Sequence, residues 1–342
     1  MAEATMGITL GDPTGVGPEL LARLLCDPQL RARWAGAEPV RIWVYGDDGV
    51  LGRAAAAQGL RWPPRDLPGL QLRAVTALRP AEARPGQPSL ASGAAQVAYL
   101  EAAMADAAAG RVHGLCTGPL HKASALAAGM MFPGQTELLA ARLGGEAVMM
   151  LAGPSLRVAL CTTHLPLRAV AAALSVAGLV RVLRTTVLGL VADFGIQAPR
   201  VWVAGLNPHA GEQGNLGREE QEVVAPAIAR ARALPELAAL PGLEIVGPQV
   251  PDVVFRQAVH PPDGRRPDAV VAMYHDQGLI PLKLLDFDEA VNVTLGLPVP
   301  RTAPDHGTAH DLAGTGRARP HSLAAALRLC REIVARRQHR GG

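Results

Sequence analysis

Residues 201–209 read VWVAGLNPH: an uncharged apolar run, a glycine, a short polar turn and then a histidine. The design recurs at residues 158–164, VALCTTH, and at residues 270–275, VVAMYH. Short apolar runs bounded by turn signals read as strands buried on both faces. Other strand-like runs lie at residues 7–10, 41–45, 114–116 and 148–151. Helical stretches alternate with them at residues 19–25, 49–57, 93–109, 169–194, 218–232 and 323–335. Strands and helices in alternation imply an α/β fold with mainly parallel pairing. The chain has 342 residues, and one core rarely grows beyond about 250–300 residues, so two lobes are expected. No internal repeat or low-complexity linker is visible, and the Pro/Gly-rich residues 60–86 read as irregular surface.

Composition narrows the function classes. Hydrophobic residues make up 49% and charged residues 18%, enough for large buried cores. Aromatics are only 3%, which leaves little for stacking on single-stranded nucleic acid. The formal charge of +3 is small, and the arginine clusters at 31–33 and 230–232 read as solvated helix faces. The basic residues 336–340 read as a frayed terminus rather than a nucleic-acid arm. Four cysteines show no CxxC pairing, which suits a reduced cytoplasmic protein. Residues 1–10 lack a secretory pattern, and no apolar run reaches the roughly 18 residues that a membrane span requires.

His164, His209 and His275 each follow an apolar strand. In open α/β sheets ligands gather outside the carboxyl ends of strands, where residues distant in sequence converge. Three neutral imidazoles there suit Zn²⁺, Co²⁺ or a similar ion and leave positions open for substrate oxygens. The alternative is three loop histidines bonded to backbone, and spacing alone does not choose between these readings. The loop GDPTGVG at residues 11–17 is neither GxGxxG nor a P-loop, so it is a tight turn or a phosphate cradle. Thr136 is a helix cap or a binding residue. Lys283 sits among apolar neighbours, where it snorkels to water or points its charge into a cleft. Asn292 and Arg301 flank the apolar residues 293–300, and arginine is the natural bidentate partner of a carboxylate or phosphate. No GxSxG elbow is present, which argues against serine hydrolysis.

Seven segments, read together, resemble the 4-hydroxythreonine-4-phosphate dehydrogenase family: GITLGDPTGVGPE (7–19), TGPLHK (117–122), TTHLPL (162–167), GLNPHAG (205–211), MYHDQG (273–278), VNVTLGLP (291–298) and RTAPDHGTA (301–309). The segment DHGTAHDLAGTGRARP (305–320) is also similar to the cofactor-side loop of isocitrate and isopropylmalate dehydrogenases. The resemblance implies a two-lobed fold of that kind, with an active-site cleft. The expected lobes are residues 1–133 plus 300–342, and residues 134–299 with the dimer contacts and most metal ligands. It implies His164, His209 and His275 as metal ligands shared across a homodimer. Gln135, Thr136, Lys283, Asn292 and Arg301 are implied for substrate, Gly307, Thr308 and Asp311 for NAD or NADP, and Lys283 and Asp276 for catalysis. Asp276 either orients the His275 imidazole or assists proton transfer.

The implied reaction oxidises 4-phosphooxy-L-threonine, a small phosphorylated hydroxy amino acid, with NAD(P)⁺ and a divalent ion (Zn, Co or Mg). The product decarboxylates to 3-amino-2-oxopropyl phosphate on the way to pyridoxine 5'-phosphate. One position departs from the family pattern: Gln135 stands where a Gly-His-Thr-Glu segment is expected. Glutamine hydrogen-bonds but carries no charge, so the rival reading is a sister dehydrogenase for 4-phospho-D-threonate or erythronate, or for a cis-dihydrodiol dicarboxylate. A non-catalytic metal- or nucleotide-binding protein is the third reading. No nucleic-acid or membrane partner is expected.

Overall fold

The computed structural model describes residues 4–36, 40–132 and 134–340. Residues 1–3 and 37–39, Pro133 at the expected lobe boundary and the last two glycines lie outside the described residues. Eleven strands are found among the described residues: β1 Thr5–Thr9, β2 Arg41–Gly46, β3 Leu70–Ala74, β4 Gly114–Thr117, β5 Val148–Ala152, β6 Arg157–Leu160, β7 Arg200–Ala204, β8 Glu244–Gln249, β9 Ala269–Ala272, β10 Val291–Leu295 and β11 Arg301–Pro304. The fold is mixed α/β. Among the described residues no single helix is long and apolar enough to cross a membrane.

The chain divides into two compact units, residues 1–145 with 297–342 and residues 146–296. The first division thus falls later than the 133/134 read from the sequence. The helix Gln135–Leu143 goes with unit 1, where Arg142 pairs with Glu101 on the helix Leu90–Ala108 at 2.9 Å.

Unit 1 holds the strand order β3-β2-β1-β4-β11, and every pairing in it is parallel. Strands β1 and β4 are wholly buried, as strands covered on both faces must be. Glycines make the sharp exit from β1 possible. Gly11 has φ +73°, and a Cβ on it would strike the Pro119 carbonyl oxygen. Pro18 then opens the helix Gly17–Cys26, where its missing N–H costs nothing. Residues 60–86 are not all irregular, because they contain β3. It was hidden by its place at the edge of the sheet and its half-exposed LQLRA pattern, which never forms a continuous apolar run.

Unit 2 holds the order β10-β5-β6-β9-β7-β8. Strands β6, β9, β7 and β8 pair in parallel, whereas β5 is antiparallel to both β6 and β10. Its core includes Leu151, Val158, Leu160, Trp202, Val270 and Leu282. Asp286, 7% exposed at the end of the helix His275–Asp286, anchors the tight turn joining β5 to β6. Its Oδ2 accepts from the amides of Ser155 at 2.9 Å and Leu156 at 3.1 Å.

Asp286→Ala leaves two amide donors without their acceptor. A loss of about 2 kcal/mol or more is expected; it will be read as a lower urea midpoint with an unchanged denaturant slope.

Candidate active site

His164 follows β6, His275 follows β9 and His209 follows β7, and β6-β9-β7 are spatial neighbours running in parallel. All three loops therefore leave the same edge of the unit 2 sheet. The rings of His164 and His275 lie with centroids 5.7 Å apart, tilted by 42°. His275 opens its helix, and its Nδ1 lies 2.6 Å from Oδ1 of Asp276. An ionised carboxylate only accepts, so this contact puts the proton on Nδ1 and leaves the Nε2 lone pair for a ligand.

Hydrogen bonds tie the three loops together. Thr162 donates from Oγ1 to the Met273 carbonyl at 2.8 Å. Gln277 accepts from the Met273 amide and donates to the Gly205 carbonyl, both at 2.7 Å. The loop after β7 has its own anchor in Glu220, 3% exposed. Its Oε1 accepts from the amides of Leu206 at 2.8 Å and Asn207 at 2.7 Å, and its Oε2 from the Asn207 side chain at 3.0 Å. Asn207 also donates to Glu219, a bond that holds the Glu219 carboxyl below its ordinary pKa.

Beyond this anchor the chain makes a left-handed turn, with φ 52° at His209, 52° at Ala210, 79° at Gly211, 43° at Glu212 and 58° at Gln213. Left-handed backbone costs non-glycine residues roughly 1–2 kcal/mol each, so the surrounding bonds must impose it. His209 lines an open groove of about 780 Å³ with Tyr274, Asp276 and Gln277. Among the described residues the ligand atoms of His164, His209 and His275 do not all come within 4.8 Å of one another. Among the described residues, the one group of His, Cys, Asp and Glu whose ligand atoms all lie within 4.8 Å is Asp12, His121 and His310, in unit 1.

Lys283, half-buried, lies on the same helix as His275, and Asn292 lies on β10 opposite Leu151. That helix also exposes Ile280 (60%) and Leu284 (82%), and Phe287 (62%) follows it; together they form an apolar stripe.

The other sequence-derived residues belong to unit 1. Arg301 is 4% exposed, and burial lowers its pKa to about 10, which leaves it charged at neutral pH. It donates through Nε and Nη2 to Thr117 Oγ1 at 3.0 and 2.7 Å, and through Nη2 to Gln135 Oε1 at 2.7 Å. Gln135 in turn donates to the Gly118 carbonyl at 3.0 Å. Gln135 is thus held by its neighbours within unit 1, and Thr136 is half-buried beside it. The loop with Gly307, Thr308 and Asp311 packs on the turn after β1, where Val16 donates to the Thr308 carbonyl at 2.9 Å. Gly307 and Asp311 are exposed. Nearby, Gly15, Glu19, Arg53, Gln58, Arg84 and Gly314 line a cavity of about 330 Å³. Glu19 accepts from the Gly314 amide at 2.7 Å through Oε2, and its buried Oε1 has no partner.

Buried parallel strands with polar loops gathered at their carboxyl ends define an α/β protein with room for a site at that edge, and comparison with known proteins makes it an oxidoreductase. The chain belongs to the family described as "Pyridoxal phosphate biosynthetic protein PdxA", whose model matches residues 38–330. A 4-hydroxythreonine-4-phosphate dehydrogenase of Xanthomonas axonopodis pv. citri (strain 306) is 45% identical over 347 residues, covering 98% of this chain and all of the relative. The crystal structure of 4-hydroxythreonine-4-phosphate dehydrogenase from Klebsiella pneumoniae is 36% identical with a TM-score of 0.80, covering 97% of this chain and 100% of that one. A terephthalate 1,2-cis-dihydrodiol dehydrogenase from Burkholderia xenovorans LB400 is 30% identical with a TM-score of 0.64, covering 96% and 97%.

Glu220, Gln277 and Glu19 were not singled out from the sequence. The only signal for Glu220 is a glutamate on the helix that follows a glycine-rich turn. In Glu220→Gln one acceptor oxygen becomes a donor facing donors. Amide hydrogen exchange at Leu206 and Asn207 is expected to accelerate about tenfold or more, the equivalent of roughly 1.4 kcal/mol.

Proposed function

We propose that this enzyme oxidises the secondary alcohol of 4-phosphooxy-L-threonine to 2-amino-3-oxo-4-phosphooxybutanoate in pyridoxine 5'-phosphate biosynthesis. The observation that carries this reading is the near full-length match to the Xanthomonas enzyme at 45% identity. The product has a ketone β to its carboxylate and loses CO₂ to give 3-amino-2-oxopropyl phosphate. The reading includes the two-lobed arrangement with a substrate cleft and a cytoplasmic location.

His164, His209 and His275 would hold a divalent ion. The donor set fits one, because imidazole nitrogen suits Zn²⁺ or Co²⁺ better than Mg²⁺, and Asp276 leaves Nε2 of His275 available. When bound, the ion supplies Lewis acidity to the substrate hydroxyl, and NAD or NADP supplies the hydride acceptor. Gly307, Thr308 and Asp311 would bind that cofactor. The unpartnered Oε1 of Glu19 beside the unit 1 cavity is an acceptor of the kind a ribose hydroxyl satisfies. Arg301 and Lys283 neutralise the substrate's phosphate and carboxylate, with Gln135, Thr136 and Asn292 hydrogen-bonding around them. Arg301 is pre-aimed by Thr117 and Gln135, so little ordering remains for substrate to impose. Lys283 and Asp276 stand nearest the reacting hydroxyl in this reading.

The spread of the histidine trio's ligand atoms and the stripe of Ile280, Leu284 and Phe287 support a homodimer that completes the metal site. A second reading is favoured by Gln135 and by the Burkholderia relative: oxidation of a cis-dihydrodiol dicarboxylate, or of a phosphorylated threonate or erythronate. A substrate panel followed by nicotinamide reduction separates the readings.

His209→Ala is expected to abolish metal-dependent turnover while far-ultraviolet circular dichroism stays unchanged. Full activity with metal bound would exclude His209 as a ligand. Leu284→Glu is expected to give a monomer by sedimentation, with at least a hundredfold loss of turnover.

A further inference from the structure

The parallel strands β1, β4 and β11 of unit 1 are neighbours. The loops leaving their carboxyl ends carry Asp12, His121 and His310, whose ligand atoms all lie within 4.8 Å of one another. We propose that these three residues form a second divalent-metal site, separate from the histidine trio of unit 2 and selective for a borderline transition ion such as Zn²⁺ or Co²⁺.

Each ligand is held from behind. The Asp12 side chain is wholly buried. Its Oδ1 is occupied by the Thr14 amide at 2.9 Å and the Thr14 hydroxyl at 2.8 Å, so its Oδ2 is the oxygen that faces His310 Nε2, at 2.8 Å. The Asp12 amide donates to the Pro119 carbonyl at 2.8 Å, which locks the first loop to the one that carries His121.

Gln96 fixes the second ligand. It accepts from the His121 amide at 2.8 Å through Oε1, so its Nε2 must donate to Ser124 Oγ at 2.9 Å. The Ser124 hydroxyl donates to the His121 carbonyl at 3.2 Å and keeps a lone pair for His121 Nδ1, 2.9 Å away. With the Ser124 hydroxyl turned to that carbonyl, which Gln96 Nε2 also reaches at 3.3 Å, the His121 proton sits on Nδ1 and Nε2 is left as a ligand. A histidine whose second nitrogen is held by such a partner is the usual form of a metal-bound imidazole.

The third ligand follows Ala309, a non-glycine residue at φ 41°. Strain of that kind persists only where the surroundings impose it, and here it presents His310 to Asp12. The two imidazoles meet edge to face with centroids 4.8 Å apart. A tetrahedral ion about 2.0–2.1 Å from each ligand sets the ligand atoms roughly 3.3 Å apart. Reaching that spacing requires the Asp12–His310 pair to part from 2.8 Å by about half an ångström, and any wider separation, none above 4.8 Å, to close by side-chain rotation. Two nitrogens and one carboxylate favour Zn²⁺ or Co²⁺ over Mg²⁺ or Ca²⁺, and they leave positions for water or an anionic oxygen.

Equilibrium dialysis of the purified whole protein against Co²⁺ tests the proposal, with His209→Ala marking the other site. Wild type is expected to bind two equivalents per chain. His310→Leu and His209→Ala are each expected to bind one, and the double variant none. His121→Asn, which removes a different ligand, should match His310→Leu, and zinc-edge anomalous diffraction should place an ion among the three side chains. The proposal is overturned if His310→Leu and His121→Asn, both folded by circular dichroism, keep the wild-type stoichiometry. It is equally overturned if wild type binds a single equivalent that disappears in His209→Ala.

Discussion

Parallel pairing among buried strands is the constraint on which the rest of the molecule depends. A parallel strand cannot be joined to its parallel neighbour by a tight turn, so the chain must cross over, and strands that run in parallel leave the sheet at the same edge. Backbone amides, carbonyls and polar side chains excluded from the core collect at that edge. In unit 2 it receives His164, His209 and His275, and in unit 1 Asp12, His121 and His310. Neither set is contiguous in sequence. Both result from the same topological necessity, and each loop is then held in place by side chains reaching across from its neighbour.

Glu220 and Gln277 show what that holding requires. Loops at a sheet edge carry amides with no ladder partner, and burying them unpaired is costly. Glu220 satisfies the amides of Leu206 and Asn207, and Gln277 bridges the loops after β7 and β9. These residues fix the loops so firmly that a run of left-handed backbone is tolerated at residues 209–213. In unit 1 the same task falls to Thr14, Gln96 and Ser124, which are small or neutral side chains with no charge to spare for a substrate.

Much of this was legible in the sequence because apolar runs ending in a histidine reveal both the strand and its exit. The α/β class and β1, β2, β4 and β5 follow from apolar runs alone, and β6, β7 and β9 from runs that end in a histidine. The edge strand β3 did not, because two of its five residues are exposed and none is fully buried. Strand β8, with a glycine and a proline inside it, breaks the pattern that marks a strand. The anchoring residues were illegible for another reason. Glu220 acts on amides 13 and 14 positions away, and His310 meets Asp12 across 298 positions. No local pattern encodes such a pairing. Gln135 was read as a departure in substrate recognition, and its geometry adds a second role as the acceptor that orients the buried Arg301.

The division of the chain has a consequence for its synthesis. Unit 1 is built from residues 1–145 and 297–342, with all of unit 2 encoded between them. Strand β11, which pairs with β4 and brings Arg301, leaves the ribosome only after residues 146–296 have been made. At about 5–20 residues per second this delay is on the order of ten seconds or more. Until then the free edge of β4 is an open template for pairing with another nascent chain. The late-arriving strand is therefore the protein's own edge guard, and its synthesis brings Arg301 to Thr117 and Gln135 and covers the β4 edge in one event.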